Sequence, residues 1–227
     1  MEAIILAGGF GTRLSHIVKD VPKPMAPVNG EPFLKYIFDY LLQFKTEHVV
    51  LALGYKADTI MNYFGSAYKG IQITNSLEGM PLGTGGAIKK AMGLCRGTDI
   101  FVLNGDTYFD VDLYKMNAFH KSKKSRLTVA VKPMDNFDRY GTVFIENDKI
   151  IRFEEKKPTR QGRINGGTYL VRREIFDSIP STTFSFEKEM LENKDTGLYA
   201  YISDGYFIDI GIPDDYARAQ KEFEKIF

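Results

Sequence analysis

The first 28 residues constrain the fold of this chain most tightly. An apolar run, Ala3-Ile4-Ile5-Leu6, passes directly into the turn Ala7-Gly8-Gly9-Phe10-Gly11-Thr12-Arg13-Leu14, and a segment with three prolines, Val21-Pro22-Lys23-Pro24-Met25-Ala26-Pro27-Val28, follows. A short continuous apolar run that ends at glycines reads as a strand buried on both faces. Prolines fit neither a helix interior nor a central strand, so Lys23 sits on a stiff connector. Glycines let a ligand approach the backbone, and their amide groups can donate to phosphate oxygens. Arg13 and Lys23 are then placed to converge on one anion, with Leu6, Ala7, Gly8, Gly9, Gly11 and Thr12 forming the cradle.

Two familiar phosphate loops do not match. A P-loop needs a lysine followed by Ser or Thr at its end, where this chain has Gly11-Thr12-Arg13. A dinucleotide fingerprint needs a small residue where Leu14 stands, and an unbroken helix after it, which Pro22 and Pro24 forbid. A glycine cluster alone can equally serve as a plain tight turn.

With 227 residues and 44% hydrophobic content, the chain can bury one large core, and a single domain over residues 1–227 is expected. A net charge of +1 gives no reason to expect nucleic acid or an anionic membrane as partner. No apolar run reaches the roughly 18 residues of a membrane span. A lone cysteine, Cys95, and an N-terminus without a basic region before an apolar run suggest the cytoplasm.

Apolar residues at helical spacing predict helices over about 33–44, 57–64, 87–92, 113–121 and 214–226, with further helical pieces near 173–178 and 186–191. Strands are expected at 48–53, 71–73 and 100–103. Their alternation with helices predicts an α/β fold, a Rossmann-like and mostly parallel mixed sheet flanked by helices. The second half adds strand-like pieces at 127–131, 141–145, 150–153, 166–171, 199–202 and 207–210, separated by short polar turns, which reads as antiparallel additions. His16, His48 and His120 show no ligand spacing and are expected at the surface or its boundary, without a role.

Asp106 follows Gly105 at the end of an apolar strand, where a carboxylate can hold a hard cation, and Asp209 is the candidate second ligand. On chemistry alone, either aspartate can be a turn residue. Asp110-Val111-Asp112 mimics the acidic motif of nucleotide-sugar glycosyltransferases, but Asp112 also reads as the cap of the following helix.

Taken together, Leu6-Ala-Gly-Gly-x-Gly-Thr-Arg-Leu14 and Pro22-Lys-Pro24 resemble the signature of the sugar-1-phosphate nucleotidylyltransferases. The resemblance runs over nearly the whole chain and implies transfer of a nucleotidyl group to a sugar 1-phosphate, with release of pyrophosphate. It implies that Arg13 binds the triphosphate and the leaving pyrophosphate, and that Lys23 binds the α-phosphate. Asn104-Gly105-Asp106 and Phe207-Ile-Asp209-Ile-Gly211 resemble the two metal-binding segments of the family, which implies Mg²⁺ held by Asp106 and Asp209. Phe153-Glu-Glu155-Lys156-Lys157-Pro158 resembles the family's lysine segment imperfectly: Lys156 is preferred for the sugar phosphate, and Lys157 is the alternative. Glu155, Asn165 and Gly141 are implied in the sugar pocket.

Leu82-Gly83-Thr-Gly-Gly-Ala87 and Arg139-Tyr-Gly141, in a chain without the β-helical extension of many relatives, look most like heptose 1-phosphate guanylyltransferases, with mannose 1-phosphate enzymes next. The resemblance therefore adds Gly83, Asn104 and Gly105 to the nucleotide site and favours GTP with a sugar 1-phosphate as partners. A homodimer is left open. Glu78 supports the base: a carboxylate only accepts hydrogen bonds, and guanine offers N1–H and the N2 amino group side by side. Thymine, uracil, adenine and cytosine each turn an acceptor towards it. The competing classes are a glycosyltransferase and a nucleotide-sugar sensor without activity.

Overall fold

Successive apolar residues of the strand Glu2–Leu6 point to opposite faces, Ala3 and Ile5 into one core and Ile4 into another. The structure, a computed structural model, describes every residue except Thr12, Arg13, Ser15, Glu155 and 193–196. Its first half contains β1 (Glu2–Leu6), the hairpin β2 (Pro27–Val28) and β3 (Glu31–Pro32), α1 (Phe33–Gln43), β4 (His48–Leu53), α2 (Ala57–Phe64), β5 (Ala67–Tyr68), β6 (Ile71–Leu77), α3 (Gly83–Met92) and β7 (Asp99–Asn104). The second half has β8 (Thr107–Phe109), α4 (Leu113–Ser122), β9 (Leu127–Phe137), β10 (Thr142–Glu146), β11 (Lys149–Glu154), β12 (Thr159–Arg172), β13 (Tyr199–Ile202), β14 (Phe207–Asp209) and α5 (Pro213–Ile226).

Ten of these strands form one sheet in the order β10-β11-β13-β9-β12-β7-β1-β4-β6-β5. Strands β1, β4, β6, β7, β9, β10 and β13 share a direction, whereas β5, β11 and β12 oppose it. The expected mostly parallel α/β sheet with antiparallel strands in the second half is what forms, and short β5 adds an antiparallel edge in the first half. Ala3, Ile5, Val49 and Leu51 pack against α1, α2, α4 and α5, while Ile4, Val50 and Ala52 pack against α3 and the 175–191 region. All six residues of β4 are buried, as a continuous apolar run requires.

Several local outcomes differ from the expectations. Helix α3 begins at Gly83 and not at Ala87, and the segment 182–184 lies so close to its first turn that only glycine fits at positions 83, 85 and 86. A Cβ on Gly86 would stand 2.2 Å from the Thr182 carbonyl oxygen. The helical piece at Arg173–Phe176 is a 3₁₀ turn and that at Glu187–Leu191 a π-helix. His48 and His120 are buried, not at the boundary: His48 bonds Glu2 and Thr74, and His120 bonds Thr128. Asp112 caps α4 as expected, accepting from the Lys115 amide at 3.0 Å.

The Gly86 contact gives a test of this packing. Alanine ordinarily favours a helix over glycine by up to about 1 kcal/mol, but a clash with a fixed carbonyl costs roughly 1–3 kcal/mol. The net cost is up to about 2 kcal/mol, so Gly86→Ala is expected to lower the melting temperature by a few degrees, up to roughly 8 °C, and a melting temperature above wild type in a thermal scan would contradict the close approach.

Candidate active site

Three close backbone approaches assemble the site at the carboxyl ends of β1, β4 and β7. The Ala7 amide donates to the Ala52 carbonyl at 2.9 Å, and Gly8 lies against Gly54, where a Cβ on either residue would meet the other's backbone at about the limit of contact. Gly11 has φ +60°, and a Cβ there would sit 3.0 Å from the Lys23 Cβ, so the glycine loop crosses directly over the proline connector. Gly105 donates to the Leu6 carbonyl at 2.9 Å, and no side chain fits between them, which draws Asp106 alongside the end of β1.

The connector is fixed from outside. Pro22 and Pro24 bracket Lys23 in a short 3₁₀ turn, and Tyr216 and Gln220 of α5 both donate to the Pro27 carbonyl. Asp209 arrives from the opposite direction on β14, which pairs antiparallel with β8 so that Asp209 faces Thr107, the neighbour of Asp106. The Ile210 amide also donates to the Asp106 carbonyl at 3.0 Å. The Lys23 ammonium donates to Asp106 Oδ2 and lies 3.7 Å from Asp209 Oδ1, with only 10% of its side chain exposed. Gly211 completes the corner by donating to Asp209 Oδ1 at 2.7 Å.

A hard cation suits this pair of carboxylates, because a single positive group, the lysine ammonium, already reaches both. Among the described residues no group of three or more His, Cys, Asp or Glu side chains converges as a metal site. A divalent ion here would therefore have two carboxylates and complete its shell from water and phosphate oxygens.

Two cavities of about 570 Å³ each meet at this corner. Leu6, Ala7, Gly8, Gly9, Gly11, Glu78, Gly83, Asn104 and Asp106 line the first, with Lys23 at its floor. Gly105 does not line it and acts through its contact with Leu6; Thr12 and Arg13 lie outside the described residues. Glu78 is anchored by its amide to the Leu53 carbonyl at 2.8 Å, and its Oε2 accepts from the Leu82 amide at 3.0 Å.

Gly141, Lys156, Asn165 and Asp209 line the second cavity, with Arg139, Tyr140 and Glu154. Glu155 lies outside the described residues. Lys156 is on the wall, whereas Lys157 pairs with Glu154 at 2.7 Å. Asn165 stands where β12 bulges, so two residues more than in β9 separate it from Tyr169, and it donates to the Tyr169 hydroxyl at 2.8 Å. Burial and the nearby Asp209 carboxylate push the Tyr140 hydroxyl well above its ordinary value, which keeps it protonated as a donor. Asp215, buried on α5, holds Arg139 at 2.7 Å.

Glu187 lines both cavities, and nothing in its local sequence marks it. Only the folding of the 182–187 segment back onto α3 brings it there. Asp110 and Asp112 line neither cavity, and Asp112 is engaged in its helix cap, so the alternative acidic motif takes no part in the site. Burial pushes the Cys95 thiol up to about 12, which leaves it un-ionised and poorly nucleophilic.

Comparison with known proteins agrees with this architecture. D-glycero-alpha-D-manno-heptose 1-phosphate guanylyltransferase of Aneurinibacillus thermoaerophilus is 51% identical over 227 residues, covering 99% of both chains. The enzyme of the same description from Campylobacter jejuni is 50% identical over 219 residues, 95% of this chain and 97% of that one. The crystal structure of HddC from Yersinia pseudotuberculosis complexed with GMP-PN superposes with a TM-score of 0.88 at 36% identity, over 98% of this chain and 99% of that chain. The family described as nucleotidyl transferase matches residues 2–226, and the chain belongs to that family.

Proposed function

We propose that this nucleotidyl transferase moves GMP from GTP to D-glycero-alpha-D-manno-heptose 1-phosphate, giving the GDP-heptose and pyrophosphate in the cytoplasm. The observation that carries the reading is the near full-length similarity, at 50% identity or more, to two heptose 1-phosphate guanylyltransferases. The geometry supports it: one cavity has a glycine cradle and includes Lys23, and the other has a lysine and neutral donors and includes Asp209, whose carboxylate lies 3.7 Å from the Lys23 ammonium.

An oxygen of the sugar phosphate attacks the α-phosphorus of GTP, and the bond from that phosphorus to the bridging oxygen of pyrophosphate breaks. Being anionic near neutral pH, the attacking phosphate needs no general base, so catalysis is positioning and charge neutralisation. Arg13 takes the triphosphate and the leaving pyrophosphate. Lys23, which pairs with Asp106 and Asp209, neutralises the α-phosphate of GTP. Lys156 neutralises the sugar phosphate, while Tyr140 and Asn165 supply donors to sugar hydroxyls. Nucleotidyl transferases of this family generally use a divalent metal, and Mg²⁺ held by Asp106 and Asp209 would neutralise charge on the reacting phosphates. Glu78 reads guanine, its carboxylate meeting the N1–H and N2 donors together.

Pyrophosphate release with each of four nucleoside triphosphates against heptose, mannose and glucose 1-phosphates tests the reading. The highest kcat/KM is expected for GTP with the heptose phosphate; a preference for mannose 1-phosphate or for UTP would contradict it.

Two substitutions test the roles. Asp106→Asn and Asp209→Asn each replace a charge with a neutral amide and are expected to abolish magnesium-dependent turnover while leaving the fold intact; full rate with unchanged magnesium dependence in either would rule out the shared site. Glu78→Gln is expected to weaken selectivity for GTP over dTTP by roughly 1–3 kcal/mol, as buried polar groups are left imperfectly paired. An unchanged ratio of kcat/KM for the two nucleotides would show that Glu78 does not read the base.

A further inference from the structure

Arg139 stands apart from the other cations of the second cavity in how it is held. Its Nη1 pairs with Asp215 Oδ2 at 2.7 Å, and Asp215 is only 4% exposed on α5. Asp215 Oδ1 lies 3.5 Å from Arg218 Nη1, and Arg218 is balanced in turn by Glu222 at 3.6 Å. The Arg139 guanidinium also lies over the Tyr140 ring, 5.8 Å from its centre, and that ring packs edge-on against Phe207. Two residues on, Gly141 passes so close to β11 that a Cβ would stand 2.6 Å from the Glu154 carbonyl oxygen. Residues 139–141 are therefore pinned at two places, to α5 and to β11.

Arg139 and Asp215 both line the cavity. A guanidinium has five N–H donors in a planar fork, and pairing with Asp215 engages only part of it. The Asp138 carboxylate, 3.9 Å from Nε, is beyond hydrogen-bond distance. The pair thus presents donors and an acceptor side by side, with no net charge. The other cations are placed differently. Arg152 pairs with Glu154 at 3.0 Å but is 55% exposed, and Glu154 is shared with Lys157, so that surface pair fixes geometry weakly. Lys156 lines the cavity and makes no ion pair among the described residues. An unpaired ammonium suits a phosphate, which Asp215 would repel. A neutral pair suits hydroxyls, each of which both donates and accepts.

D-glycero-alpha-D-manno-heptose differs from mannose by one carbon: C6 carries a further CH₂OH, so the arm of the ring is a vicinal diol. We propose that Arg139 and Asp215 are specificity-determining residues that read this diol, Arg139 donating to one hydroxyl and Asp215 accepting from the other, while Lys156 holds the phosphate at C1. This rests on the assignment of the second cavity to the heptose 1-phosphate made above. A hexose phosphate has one hydroxyl on its arm and leaves one member of the pair without a partner, which a pinned pair cannot make good by shifting. The configuration at C6 is read as well, because inverting it turns one hydroxyl of the diol away from the fixed fork.

Steady-state kcat/KM for the heptose 1-phosphate, its C6 epimer and mannose 1-phosphate, each with GTP, tests this. Wild type is expected to prefer the heptose phosphate over both others by about 10- to 100-fold, the equivalent of a hydrogen bond to a charged group. Arg139→Met is expected to lose most of both preferences, as a fall in the ratios and not merely in the rates. If Arg139→Met does not fold, Arg139→Lys decides: it keeps a charge beside Asp215 without the fork and is expected to lose the preferences too. Wild-type preferences that persist in the folded variant, or rates that fall equally with all three sugars, overturn the proposal and leave the assignment of the cavity standing. Wild type that prefers heptose over mannose but does not distinguish the C6 epimers likewise overturns the diol reading alone. Wild type without a preference for the heptose phosphate over mannose 1-phosphate overturns the assignment of the cavity and the proposal with it.

Discussion

One ammonium group shared by two carboxylates fixes the geometry around it. Asp106, in the turn between β7 and β8, and Asp209, at the end of β14, are far apart in sequence and would repel each other if brought together without a cation. Lys23 supplies that cation while its side chain is nearly buried, and losing one member of such a cluster leaves the others uncompensated. The surrounding structure serves this contact. Gly11 lets the glycine loop cross the lysine, Gly105 lets Asp106 approach β1, and the β8–β14 ladder delivers Asp209 opposite Thr107.

The same corner divides two kinds of chemistry. On one side, backbone amides and a carboxylate form a cavity suited to phosphates and a base with two adjacent donors. On the other, protonated Tyr140, Asn165 and Lys156 form one suited to a phosphorylated polyol. Neither cavity contains a group that must gain or lose a proton for a phosphate to attack a phosphate. That agrees with a reaction driven by placement and charge. The 182–187 segment then joins the two cavities physically, and it is why α3 must start with glycines.

Much of this was legible in residue order because it is local. The Ala3-to-Leu6 run, the glycine turn and the bracketing prolines act over a few residues, and each dictates its backbone without tertiary help. The Asp112 cap is equally local. What escaped is long-range. Gly85 and Gly86 weaken a helix by propensity, so its start at Gly83 makes sense only with Phe184 and Thr182 packed on it. Glu187 has no local mark, and its place between the cavities follows from the same docking. His48 and His120 looked peripheral because their partners, Glu2, Thr74 and Thr128, are distant or unremarkable in sequence. That Lys157 pairs with Glu154 while Lys156 lines the second cavity is a side-chain matter that spacing does not encode.

If Lys23 occupies the place of a cation between Asp106 and Asp209, a metal entering the nucleotide-free protein must first displace it. Calorimetric titration of Mn²⁺ into nucleotide-free wild type and Lys23→Met tests this most directly. The account predicts that the variant binds Mn²⁺ at least about tenfold more tightly, because both carboxylates are then free of the competing ammonium. Equal or weaker Mn²⁺ binding by Lys23→Met would contradict it.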